Sequence, residues 1–168
     1  RMVENQADTK IKTIRTDRGG EYCGHEFQNF LKDNGIHHQL ATSYTPQQNG
    51  VAERKNRTLM ELSRSMMKMK RLSHVYWAEA VSCATYLINR ATTKGVQNIT
   101  PQEAWSGRKP NVSHLRIFGC VAYSHIPKQH RGKLDDKVEK VIFVGYSEHS
   151  KAYKLYNPAG KTIISRDM

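Results

Sequence analysis

The stretch over residues 51–72 restricts this chain more than any other, because Leu59, Leu62, Met66 and Met69 recur there at three- and four-residue intervals. Such spacing predicts a long amphipathic helix whose apolar stripe must be covered by another part of the fold. A second helix is expected over residues 76–91, with Trp77, Ala80, Val81, Ala84, Leu87 and Ile88 on one side as core packing. At 100° per residue, Glu53, Arg57 and Arg64 of the first helix cluster roughly opposite its stripe. Seven Lys/Arg stand against two Glu over residues 53–72, so that polar face is basic.

The elements on either side follow different rules. Residues 10–16 are rich in β-branched side chains and read as a strand stopped by Asp17-Arg18-Gly19-Gly20. A short helix is expected over residues 25–35, with Phe27, Phe30 and Leu31 on one face and Asn34-Gly35 as its stop. Residues 36–40 read as a second strand, and residues 43–50 as a polar loop with Pro46 and Gly50. Thr100 and Pro101 have the residue types of an N-cap and first helical position, and Gly107-Arg108-Lys109-Pro110 reads as a linker. Beyond it the periodicity changes to short strands over residues 117–123, 139–146, 152–156 and 161–165. Asn157-Pro158-Ala159-Gly160 reads as the hairpin turn between the last two, and the whole pattern suggests a small antiparallel barrel.

At 168 residues the chain has material for one core or two small ones. Its 27 Lys+Arg against 15 Asp+Glu give a net charge of +12, which suits a polyanionic partner such as nucleic acid, with a basic surface kept only for solubility as an equal alternative on charge alone. No apolar run approaches the length of a membrane span, and residues 1–6 do not form a signal peptide. Cys23, Cys83 and Cys120 are far apart and odd in number, which argues against a zinc site or a disulfide framework and fits buried thiols in a reducing intracellular compartment. His37-His38 and Cys23 with His25 lack the spacing of zinc ligands, so surface or packing roles are expected of them.

Two carboxylates carry the most chemistry. Asp17 follows a strand, Glu53 opens a helix, and 35 residues separate them. Brought together at a sheet edge, they are the hard oxygen donors that Mg²⁺ takes while keeping several waters. The plainer alternative makes Asp17 a turn-former and Glu53 a favourable charge at a helix N-terminus. Asp8, in a polar stretch, is not a candidate ligand.

The blocks Thr16-Asp17-Arg18-Gly19-Gly20-Glu21-Tyr22 and Tyr44-Thr45-Pro46-Gln47-Gln48-Asn49-Gly50-Val51-Ala52-Glu53-Arg54-Lys55-Asn56-Arg57-Thr58 resemble the second and third catalytic blocks of copia-type LTR retrotransposon integrases. Trp77-Ala78-Glu79-Ala80, Pro101-Gln102-Glu103-Ala104-Trp105, Leu115-Arg116-Ile117-Phe118-Gly119-Cys120 and Phe143-Val144-Gly145-Tyr146 continue the resemblance in register over nearly the whole chain.

The resemblance implies an α/β fold class: a truncated ribonuclease-H-like integrase core with its following helices over residues 1–110, then a small all-β SH3-like barrel over residues 111–168. It implies metal-dependent phosphoryl transfer that processes retroelement DNA ends and joins them to a target, with Mg²⁺ or Mn²⁺ as cofactor. In that setting Asp17 and Glu53 are the second and third acids of an Asp-Asp-Glu triad. Gln48, Asn49, Arg54, Lys55, Arg57 and Arg64 are then DNA-contacting residues, and Asn56 orients Glu53. Homo-oligomers acting on paired DNA ends, no membrane, and a nuclear site for the integration step are the corresponding expectations.

The family's first aspartate precedes the equivalent of Asp17 by more than the 16 residues present here, so the chain is expected to be inactive alone. The strands lost with it are expected to deprive the two helices of the surface for their stripes. Two other readings stay open, a non-catalytic nucleic-acid-binding remnant and a co-opted protein-interaction module. Salt-dependent DNA binding separates those two.

Overall fold

The computed structural model describes residues 1–41, 50–147, 150–157 and 160–166, and the chain forms two compact units, residues 1–57 and 58–168. In the first unit α1 (Met2–Ala7) precedes β1 (Thr13–Thr16), α2 (Gly20–Cys23), α3 (His25–Asp33) and β2 (His37–Leu40). β1 and β2 pair in parallel, Thr13 opposite His37 through Thr16 opposite Leu40. Parallel neighbours need a crossover, which α2 and α3 supply. Leu31 is the buried anchor of α3, but Phe30, expected beside it, is 56% exposed. Gln28, Phe27 and Leu31 span one arc, and Phe30 lies about 100° from its centre at 100° per residue.

α4 (Gly50–Met69) runs from the first unit into the second, which adds α5 (Trp77–Ile88), α6 (Pro101–Ser106), β3 (Val121–His125), β4 (Val138–Tyr146), β5 (Tyr153–Asn157) and β6 (Lys161–Ser165). The four strands form an antiparallel meander in the order β3-β4-β5-β6. Gly160 N–H donates to the Asn157 carbonyl at 2.8 Å across the turn between β5 and β6; Pro158 and Ala159 lie outside the described residues.

One core serves this unit. Val141, Phe143, Val144 and Leu155 of the sheet are 0–1% exposed, and Ala80, Cys83 and Ala84 of α5 meet them at 0–2%. Met66 and Met67 of α4 join the same cluster, with Leu59 and Leu62 packed at its margin. The α5 stripe is therefore covered by the chain's own antiparallel sheet and part of the α4 stripe shares that core, where the expectation was that both need the strands of a fuller core. Each stripe is also narrower than its apolar residues suggest. Met69 is 63% exposed and Trp77 44%, while Ser63 and Cys83 take buried positions. Ser63 is accommodated because its hydroxyl donates to the Leu59 carbonyl at 2.7 Å. Burial pushes the Cys83 thiol up to about 12, so it stays a neutral packing group.

Cap chemistry follows the sequence at α6, where Thr100 Oγ1 accepts from Glu103 N–H at 3.0 Å and Pro101 opens the helix. It departs from the sequence before β3. Residues 117–120 form a turn, not strand, closed by Cys120 N–H donating to Ile117 O at 3.1 Å. Gly119 sets that turn with φ +78°, and a Cβ there would lie 2.8 Å from Leu72 Cδ1 and 2.9 Å from Lys70 Cβ. Its own N–H donates to Phe143 O at 2.8 Å, tying the turn to β4. Gly119→Ala combines left-handed strain with overpacking and is expected to cost about 1–3 kcal/mol, read as a lowered urea midpoint with unchanged slope.

Candidate functional site

Asp17 emerges from the C-terminal end of β1 into solvent, and its Oδ1 accepts Gly19 N–H at 3.1 Å. That contact is a turn made by the side chain on its own backbone. It engages one carboxylate oxygen. The backbone of Asp17 is held from the other side. Thr16 is 8% exposed, and its hydroxyl donates to the Asp17 carbonyl at 2.9 Å. The same Oγ1 lies 2.8 Å from His38 Nε2 on the paired strand, and His38 Nδ1 lies 2.9 Å from Gln28 Nε2 on α3. A hydroxyl has one proton and an amide nitrogen cannot accept, so the directions are fixed. Gln28 donates to Nδ1, Nε2–H donates to Thr16, and Thr16 donates to Asp17 O. Phe27 packs edge-on against the His38 ring with centroids 5.5 Å apart, and Gln28 also donates to Tyr22 O at 2.9 Å.

This relay was not legible as a site. His38 reads in the sequence as one of two adjacent histidines, and only the parallel register of β1 and β2 sets it beside Thr16.

Glu53 stands in the first turn of α4 and is exposed, as are Lys55, Arg57 and Arg64. Arg54 folds back toward the start of its helix, with Nη1 3.3 Å from where a Cβ on Gly50 would stand. Gln48 and Asn49 lie outside the described residues. Asp17 and Glu53 thus belong to one compact unit, both exposed and both oxygen donors of the type that Mg²⁺ takes. Among the described residues, no three His, Cys, Asp or Glu side chains converge as a metal-holding group. The donor chemistry fits a divalent ion, but the ligand count falls short of a two-ion site.

A second constellation lies in the other unit, and no sequence motif announced it. Tyr86 of α5 stacks on Tyr146 with centroids 4.1 Å apart and an interplanar angle of 18°. The Arg90 guanidinium lies 3.3 Å over the Tyr86 ring, and the Tyr86 hydroxyl meets His114 Nε2 at 2.7 Å. Arg116 N–H donates to the Tyr146 hydroxyl at 2.9 Å, and the Tyr153 hydroxyl donates to the His114 carbonyl at 3.1 Å. Burial raises the Tyr86 phenol and pushes that of Tyr146 up to about 12. Burial, with Arg90 and Arg116 nearby, lowers His114 from the ordinary 6.5. Both shifts favour the neutral forms, a protonated Tyr86 phenol beside an uncharged His114 imidazole.

Comparisons with known proteins place these features in context. Residues 120–168 match the retroviral polymerase SH3-like domain family. The chain is 44% identical, over 99% of its length, to the retrovirus-related Pol polyprotein from transposon TNT 1-94 of Nicotiana tabacum. Identity to the retrovirus-related Pol polyprotein from transposon RE2 of Arabidopsis thaliana is 36% over 98% of the chain. It spans only 13% and 11% of the length of those two proteins. A chain of the simian T-cell lymphotropic virus intasome in complex with PP2A regulatory subunit B56 gamma shares the fold, with TM-score 0.52 at 18% identity, covering 99% of this chain and 61% of that one.

Two outcomes test the geometry. Thr16→Val removes the hydroxyl between His38 and Asp17 and should destabilise by about 1–3 kcal/mol in urea, with Thr16→Ser restoring most of the loss. The lowered His114 pKa means the unfolded chain takes up that proton first. Its contribution to stability is complete above pH 6.5 and is lost as pH falls through the depressed folded value. The melting temperature should therefore drop below pH 6.5, and His114→Gln should flatten that part of the profile.

Proposed function

We infer, from a chain homologous over nearly its whole length to a segment of the Pol polyproteins of copia-type retrotransposons, that it is the later portion of such an element's integrase. In this reading residues 1–110 derive from the ribonuclease-H-like catalytic core with its following helices, and residues 111–168 are the SH3-like domain. The complete enzyme processes element DNA ends and joins them to target DNA in the nucleus, acting as an oligomer.

The observation that carries the reading is the placement of Asp17. It projects from the end of a strand in a parallel pair, its backbone pinned by the Gln28–His38–Thr16 relay and its carboxylate reaching solvent. Glu53 opens the next long helix, where the third acid of the triad belongs. In the complete enzyme Asp17 and Glu53 would help to hold Mg²⁺ or Mn²⁺, which would supply Lewis-acid chemistry for phosphoryl transfer. The chain's own part is to supply two carboxylates at fixed backbone positions. Lys55, Arg57 and Arg64, exposed on α4, and Arg54 supply cations for phosphates, which position DNA without reading its sequence. Gln48 and Asn49, which precede α4 in the sequence, are proposed as DNA contacts as well.

That no three metal-ligating side chains converge among the described residues favours one narrower reading beside this one, that the chain by itself binds DNA without transferring strands. Incubated alone with preprocessed element ends, target DNA and Mg²⁺ or Mn²⁺, the 168-residue chain should give no joined product. DNA binding should persist and fall steeply with salt, by about tenfold or more between 50 and 200 mM, through counterion release. Robust joining that Asp17→Asn and Glu53→Gln abolish would show a complete catalytic site. Absence of salt-dependent binding would refute the nucleic-acid reading altogether.

A further inference from the structure

The aromatic constellation around Tyr86 is one wall of a cavity of about 400 Å³ in the second unit. Arg90, Lys151 and Arg166 line it, together with His114 and Tyr153, and no Asp or Glu is among its described lining residues. Three cations around a concavity with no acidic side chain among its described lining residues concentrate positive potential there, because the low-dielectric walls focus the field. Arg90 is also preorganised. Its guanidinium is stacked on Tyr86, and its Nη1 donates to the Tyr86 carbonyl at 3.1 Å, so little conformational freedom remains to be lost when an anion arrives. Lys151 and Arg166 are exposed at the rim and are free to swing onto a ligand already seated.

Size and lining narrow the ligand further. Cavities of roughly 300–1,000 Å³ take small organic molecules, so an inorganic phosphate alone would leave most of this one to water. Tyrosine rings supply apolar wall, while Gln102 and Asn111 bring amide donors and acceptors of the kind that meet the edge of a base. Neutral His114 adds a polar edge without opposing an anion.

We propose that this cavity is a nucleotide pocket, which takes the phosphate of a nucleoside monophosphate unit on Arg90, Lys151 and Arg166 and its sugar and base against the tyrosine wall. The unit is either a free mononucleotide or the 5′-phosphorylated end of a DNA strand, which share this chemistry. The pocket uses neither Asp17 nor Glu53, so it stands or falls separately from the strand-transfer reading.

The test is a ¹H–¹⁵N NMR titration of the 168-residue chain at low ionic strength. The probes are deoxyadenosine 5′-monophosphate, deoxyadenosine, inorganic phosphate, a 5′-phosphorylated single-stranded tetranucleotide and an acidic peptide. Saturable shifts at Tyr86, Arg90 and Tyr153 are expected, with the monophosphate about tenfold or more tighter than either deoxyadenosine or phosphate. Lys151→Glu with Arg166→Glu should weaken it by at least about tenfold without lowering the melting temperature, whereas Lys128→Glu, outside the cavity, should change little. Preference for the tetranucleotide assigns the pocket to strand ends, and preference for the free monophosphate assigns it to mononucleotides. Equal affinity for deoxyadenosine and its monophosphate, equal weakening by Lys128→Glu, or tighter binding of the acidic peptide would each overturn the proposal.

Discussion

The contact between α5 and β4 is the constraint on which the second unit depends. Ala80, Cys83 and Ala84 present almost no side-chain height, so the helix lies close over Val141, Phe143 and Val144. Close approach multiplies dispersion contacts and excludes water from both surfaces at once. Everything else in the unit builds out from that seam. Met66 and Met67 fill the flank, the unbranched thioethers adapting to the irregular space beside the sheet. The Glu79–Lys154 ion pair at 2.6 Å borders it, and both partners keep about 30% of their side-chain surface in solvent, so it adds at most about 1 kcal/mol.

That seam also places the chemistry of this unit. Tyr86 lies within one turn beyond Cys83 and Ala84 on the same helix, and Tyr146 ends the strand that α5 covers. Their ring stacking is thus an extension of core packing to a point where the core meets water. At such a point a phenol stays protonated, an imidazole stays neutral, and a guanidinium finds an aromatic face. Burial sets these states more than any single charge does, because it is the leading cause of each shift.

Much of the architecture was legible in the sequence because periodicity and capping act locally. β2, α3, α4 and α5, the last three strands and the Thr100–Pro101 helix start fall within a few residues of where side-chain spacing puts them. What spacing could not give is which residues of a stripe face inward. Phe30, Met69 and Trp77 are apolar and exposed, while Ser63 and Cys83 are buried, because the docking partner chooses the centre of the stripe and composition only bounds its width. The turn at residues 117–120 was missed for a related reason. Its residues read as strand, and only the approach of Lys70 and Leu72 to Gly119 dictates otherwise. At the site, Asp17 and Glu53 were legible as residue types in recognisable blocks. His38 and Gln28 were not, since their roles arise from strand register, and neither was the cavity, whose lining is drawn from many separate segments.

The Gln28–His38–Thr16 relay has a consequence for how free energy is divided in the first unit. Every hydrogen bond in it runs the same way, from α3 through β2 to the backbone of Asp17, so each proton's position depends on the one before. Moving the imidazole proton to the other nitrogen breaks the bond from Gln28 and makes Nε2 compete with the Asp17 carbonyl for the single Thr16 proton. The three side chains therefore form one coupled element, not three additive ones, and no share of the stability belongs to any of them singly. Losing the first link leaves little for the loss of the second to remove. The backbone carbonyl from which the Asp17 side chain departs is thereby tied, through Thr16 and His38, to Gln28 on α3, which makes Gln28 a determinant of Asp17 through two intermediaries.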